Sequence, residues 1–213
     1  MHTPALSTVS SNRSFSCRGS VGLTWIGSLA FLLPMLAQAH PEHGGAGGLA
    51  SGLHHPFSGL DHLLVMLAVG FWAAQLGRRA MWLLPVVFPG VMALGALLGM
   101  SGLAVSGVEI GIALSAVVIG VLVMTEFRPP LWLSLATVGF FAMFHGLAHG
   151  AELPVGASGS AYILGFVLAT ALLHVTGIAV GVAHRWPVGR ALVRVSGVAV
   201  AVCGALFLWQ AVG

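Results

Sequence analysis

The chain contains no lysine. Its 213 residues carry 8 arginines, 5 acids and 2 cysteines, and charged residues make up only 6% of the total. A soluble domain devotes about 25% of its residues to charge, so this chain cannot hydrate a surface of the size its length implies. The same arithmetic excludes disorder, a coiled coil and collagen. The two cysteines, Cys17 and Cys203, lie far apart. Cys17 falls in the leader discussed below, so an intramolecular disulfide is not expected, and Cys203 reads as a small hydrophobe in an apolar run. What the chain has instead is hydrocarbon and imidazole. Hydrophobic residues make up 58%, and there are 10 histidines beside the 5 acids. Long apolar runs with so little charge define a polytopic membrane protein.

The first residues read as an address. Arg13 and Arg18 precede an apolar run over 21–37, and Ala37-Gln38-Ala39 fits a small-x-small cleavage site. Residues 1–39 are expected to be a secretory signal peptide cleaved after Ala39. A periplasmic, His/Gly-rich arm over 40–57 is then expected, with the Gly-rich stretch 44–52 as a flexible tether. Pro56 suits a loop or first-turn position ahead of the first span. Six apolar segments follow within 58–213, near 58–77, 80–102, 108–126, 131–151, 160–184 and 190–211. Each reaches the ~20 residues a helix needs to cross the hydrocarbon. The expected fold is all-α, a polytopic bundle of six transmembrane helices. Three spans followed by three would be inverted in topology, as in many transporters, although the halves show no evident self-similarity.

The sequence pI of 9.7 raises nucleic acid as a partner, and the placement of the arginines removes it. With the new N-terminus at His40 outside, alternate loops place Arg78, Arg79, Arg128, Arg185, Arg190 and Arg194 all on the cytoplasmic side, as the positive-inside rule requires. Both termini are expected outside the cytoplasm. No segment outside the spans is long enough for a nucleotide-binding domain, and no Walker or Rossmann glycine pattern occurs.

The histidines gather at the other face. His40, His43, His54 and His55 precede the first span, Asp61 and His62 open it, and Glu109 opens the third. His145 and His149 lie near the outer end of the fourth, with Glu152 just beyond. Only His174 lies deep, roughly 20 Å along the fifth span by helical rise. His145 and His149 are four residues apart, so they share a helix face and suit one divalent ion. Asp61 and His62 point roughly 100° apart on a helix and would need help from other helices to hold one ion. Met66, one turn below His62, offers a thioether. The free amine and imidazole of His40 would chelate a metal together, while Pro41 blocks deprotonated-amide coordination there. Imidazole and carboxylate suit Ni²⁺, Co²⁺, Zn²⁺ and Cu²⁺. Taken singly, a membrane histidine often does no more than bond a neighbouring helix, and Glu109 fits a helix-start acid. Four ionisable groups on one side need a common reason, a shared metal or proton site.

These residues resemble a known family. His55-Pro56-Phe57-Ser58-Gly59-Leu60-Asp61-His62-Leu63-Leu64-Val65-Met66-Leu67-Ala68-Val69-Gly70 is similar to the H-P-x-x-G-x-D-H-x-x-x-M-x-x-V-G signature of the HupE/UreJ family. Phe144-His145-Gly146-Leu147-Ala148-His149-Gly150-Ala151-Glu152 resembles its F-H-G-x-A-H-G-x-E segment, and His174 sits where the family often has a further histidine. The resemblance implies a secondary permease for nickel, or cobalt, that serves hydrogenase or urease maturation. It implies no enzyme activity and no catalytic cofactor, the dication being the transported substrate. It also implies His55, Asp61, His62, His145, His149 and Glu152 as site residues. His40, His43 and His54 would serve a capture arm, and Met66 and His174 stations further down. A non-transporting metal sensor and an intramembrane enzyme are the alternatives. Gly156-Ala157-Ser158-Gly159 matches a G-x-S-G string, but His174 lies about 24 Å further along the same helix, out of reach of Ser158.

Overall fold

The computed structural model describes residues 45–213. The signal-peptide segment, His40 and His43 lie outside the described residues. Within them the chain is helical: α1 Gly45–Ser58, α2 Leu60–Leu76, α3 Arg78–Met100, α4 Val108–Thr125, α5 Leu131–Ala151, α6 Gly159–Gly181 and α7 Pro187–Val212, with one 3-10 turn at Val182–Arg185 between the last two. Helices α3 to α7 are each long and apolar enough to cross a membrane. A sixth span exists if α1 and α2, bent by 81°, are taken as one broken span. The six expected segments match α2 to α7 to within a few residues.

The breaks follow local chemistry. Gly59 is extended between α1 and α2, and Gly77 alone separates α2 from α3 at φ 101°, a conformation that costs glycine little and other residues much. Pro130 precedes α5 and Pro187 opens α7, where a missing N–H is harmless. The Ser158 hydroxyl accepts from the Ala161 N–H to cap α6. This is a structural task for the serine of the G-x-S-G string.

Two expectations are corrected here. The stretch 44–52 is not a flexible tether: from Gly45 onward it is the helix α1. Pro56 stands inside that helix, not in a loop ahead of the first span. The physical reason is packing. A Cβ on Gly52 would collide with the Tyr162 carbonyl, and one on Gly165 with the Leu49 carbonyl. Missing side chains thus let the backbones of α1 and α6 touch, as small residues do between membrane helices. The same device joins α3 to α5, where Gly95 and Gly99 face Gly146 and Gly150. Gly70 and Gly177 likewise join α2 to α6. The glycines beside His145 and His149 therefore fix how closely those histidines approach the bundle centre.

The apolar core runs through Val65, Met66, Trp72, Leu84, Phe88, Met92, Ile119 and Phe166. Large apolar side chains such as Val86, Leu94, Phe140, Leu168, Leu172, Val195 and Leu206 stay exposed, as expected where the solvent is lipid. The six arginines of the described residues sit at one end. Arg190 Nε is 3.1 Å from Glu126 Oε1, Arg194 Nε donates to the Met124 carbonyl, and Arg78 and Arg79 line a recess with Pro129. Trp82, Trp132 and Trp186 are exposed at the start of α3, α5 and α7 at this same end, an interfacial aromatic position.

Candidate metal site

The opposite end collects histidines from three helices. Helix α1 delivers His55, α2 delivers Asp61 and His62, and α5 delivers His145, His149 and, at its C-terminal cap, Glu152. His55, His149 and Glu152 place one donor atom each within 4.8 Å of one another. His55 Nε2 lies 2.9 Å from Glu152 Oε2. That hydrogen bond holds the Glu152 carboxyl below its ordinary range. Phe166 of α6 lies flat under the His149 ring, with centroids 4.6 Å apart and planes 9° apart, which sets the plane in which the imidazole can present a nitrogen.

A second layer lies directly against the first. The His62 ring is 4.7 Å from His145 and 4.8 Å from His149, centroid to centroid. The Asp61 carboxylate accepts from the His62 backbone N–H at 2.8 Å and from its Nδ1 at 3.0 Å. A carboxylate only accepts, so a proton sits on Nδ1, and in the neutral ring His62 Nε2 is bare. That Nε2 is buried without a partner, as are His145 Nδ1 and both nitrogens of His149. Leaving such groups unsatisfied costs about 1–3 kcal/mol each, a penalty that a bound cation would reverse. Asp61 thus fixes the orientation of the His62 ring and sets a negative charge beside it, a task that its divergence from His62 along the helix did not suggest.

His145 and His149, expected to pair on one ion, have different nearest partners. His149 groups with His55 and Glu152, while His145 Nε2 turns to the Ser115 hydroxyl of α4 at 3.0 Å. The remaining expected residues separate in the same way. His54 is exposed on α1. Met66 is 1% exposed and packs in the apolar core with Val65, Val69 and Trp72, rather than joining the donor cluster. His174 is fully buried with neither ring nitrogen bonded. Phe88 stands between it and the cluster, its ring 5.2 Å from His174 and 5.5 Å from His145.

The cluster opens onto a pocket of about 550 Å³ lined by Asp61, His62, Glu109, Glu152 and Gln210 among others. Three of the chain's 5 acids line this one pocket, and no arginine does, so the mouth attracts cations. Glu109, readable from sequence as a helix-start acid, is part of that mouth. Ser115, Phe166 and Phe88 escaped the sequence reading. The one available signal was Ser115, a lone hydroxyl within an apolar helix that must bond something.

Fold and site together define a polytopic helical membrane protein with a histidine–carboxylate cluster at the end away from its arginines. The model of the family described as HupE / UreJ protein matches residues 28–207, and the chain belongs to that family. It is 46% identical over 179 residues to Protein HupE of Rhizobium leguminosarum bv. viciae, covering 84% of this chain and 93% of the relative. No solved structure matches the chain.

Proposed function

We propose that the protein is a secondary transporter that takes up Ni²⁺, or Co²⁺, from the periplasm across the bacterial inner membrane for hydrogenase or urease maturation. The observation that carries this reading is the buried cluster of bare imidazole nitrogens behind an acid-lined mouth. Such a donor set suits borderline divalent ions, and family membership points the same way. In this reading residues 1–39 are a cleaved signal peptide, the His40 and His43 segment captures a scarce ion, and the arginine-bearing end faces the cytoplasm.

The ion leaves water at the Asp61, Glu109 and Glu152 mouth. It is held first by His55, His149 and Glu152, whose donors already converge, and then passes to His62 and His145. Phe88 separates this cluster from His174, a deeper station. Among the described residues the next acid inward is Glu126, at the arginine-bearing end, so the dication crosses the core on neutral donors. A potential of 100 mV contributes roughly 4.6 kcal/mol toward inward movement of two charges, from about 2.3 per charge. No nucleotide site is needed for that.

The test is ⁶³Ni²⁺ accumulation in proteoliposomes under an imposed inward-negative potential. Accumulation above protein-free vesicles, lost in His149→Ala, supports the reading. Tight Ni²⁺ binding with no accumulation would replace the transporter with a metal-binding sensor.

A further inference from the structure

Ser115 lies in the middle of α4, fully buried, in a stretch otherwise built of apolar side chains. A hydroxyl has one hydrogen to give. In Ser115 that hydrogen goes to the Ile112 carbonyl at 2.5 Å. The same oxygen is 3.0 Å from His145 Nε2, and with its own hydrogen committed it can only accept there. His145 must therefore carry its proton on Nε2. A neutral imidazole has one N–H, so Nδ1 is left with a bare lone pair, and that atom is buried without a partner. The neighbouring His62 is set the opposite way: Asp61 takes its Nδ1 proton and Nε2 is bare. His149, with neither nitrogen bonded, is set by no partner at all.

We propose that Ser115 is a positioning residue that locks His145 in its Nε2–H tautomer and so keeps Nδ1 as the atom offered to Ni²⁺. The inference rests on the uptake reading, because it assigns the ligand atom of a residue in that site. The argument is one of exchange. An unlocked imidazole in a buried site populates both tautomers. The form protonated on Nδ1 cannot bind through that atom until the proton moves, and no acceptor stands beside it. A second partner that removes this freedom raises affinity without touching the ion, as carboxylates and carbonyls behind metal-bound histidines do.

The experiment uses the full-length protein in detergent micelles, metal-free, with ¹⁵N-labelled histidine, and the His145 resonances identified by their loss in His145→Gln. In the wild type His145 shows the single tautomer protonated on Nε2. Ser115→Ala is expected to show both tautomers and a Ni²⁺ affinity lower by roughly 10- to 100-fold by calorimetry. Ser115→Thr keeps a hydroxyl able to bond the preceding turn and is expected to restore both. Where Ser115→Ala does not fold, Ser115→Cys, close in volume and a far weaker acceptor, is measured instead. A serine that merely packs would lower thermal stability and leave the tautomer unchanged. An unchanged tautomer with unchanged Ni²⁺ affinity in the variant overturns the proposal and leaves the uptake reading standing. A wild type with no Ni²⁺ affinity overturns the uptake reading and the ligand role of Nδ1 together.

Discussion

His55 Nε2 and Glu152 Oε2 lie 2.9 Å apart, and the pair ties α1 to the far end of α5. In the proposed uptake each atom is also a donor to the metal, so an arriving cation would replace this contact. His149 completes this set and touches His62 as well, which makes it the residue common to both layers. Replacing it removes a donor from each. His149→Ala is expected to reduce ⁶³Ni²⁺ uptake to the background of protein-free vesicles at normal membrane insertion. His184→Gln changes a half-buried histidine that bonds the Gly181 carbonyl near the arginine-bearing end, and uptake should stay within about twofold of wild type, since glutamine can keep that bond and the position lies away from the cluster. Equal loss in both variants would refute the assignment of the site.

The depressed Glu152 carboxyl gives a stability test with a definite sign. A carboxyl whose folded value lies below its ordinary 4.5 adds stability that is present above that value and lost as pH falls through the lower folded one. The side chains of His55 and Glu152 are 27% and 54% exposed, so solvent screening holds the pair to about 0.5 kcal/mol. Glu152→Gln should therefore melt slightly below wild type at pH 7, with the gap closing once the carboxyl protonates. Differential scanning measurements of the detergent-solubilised proteins across that range check it. A gap that widens on acidification would contradict the direction.

Much of this architecture is legible in residue order. Runs of about 20 apolar residues have one solution in a bilayer, so the helices from α2 to α7 follow from hydropathy, and the arginines mark one end because charge is tolerated only outside the hydrocarbon. The motif residues His55, His62, His145, His149 and Glu152 are likewise visible, since ionisable groups in apolar sequence need a reason. The grouping of donors is not visible. Helical spacing puts His145 beside His149, yet the tertiary approach of α1 and α4 draws them to different partners, His55 with Glu152 for one and Ser115 for the other. The helical state of 45–58 was hidden for a related reason. Glycine-rich sequence disfavours an isolated helix, and only the groove on α6 makes the same glycines favourable.

That groove makes a packing prediction. A Cβ on Gly52 would meet the Tyr162 carbonyl and the Phe166 N–H, both backbone groups that cannot yield. Gly52→Ala should cost about 1–3 kcal/mol by overpacking. It should also lift α1, drawing His55 away from Glu152 and lowering Ni²⁺ affinity. Gly90 is an exposed helical glycine with nothing within 4 Å of its Cβ position. Gly90→Ala should be neutral or more stable by up to about 1 kcal/mol. Thermal melting and Ni²⁺ titration of the two variants decide between a seated α1 and a loosely attached one, which would tolerate both changes alike.

Direction of transport depends on which end faces the periplasm. Val155 is fully exposed in the loop after Glu152, and Val188 is exposed at the start of α7 among the arginines. The positive-inside rule, applied to Arg78, Arg79, Arg128, Arg185, Arg190 and Arg194, predicts Val188 in the cytoplasm and Val155 outside. In a background with Cys17→Ser and Cys203→Ala, Val155→Cys should react with a membrane-impermeant maleimide in intact spheroplasts. Val188→Cys should react only after permeabilisation. The reverse pattern would place the histidine cluster on the cytoplasmic side. The acid-lined mouth would then be an exit, and the membrane potential would hold a dication at the cluster rather than drive it away from there.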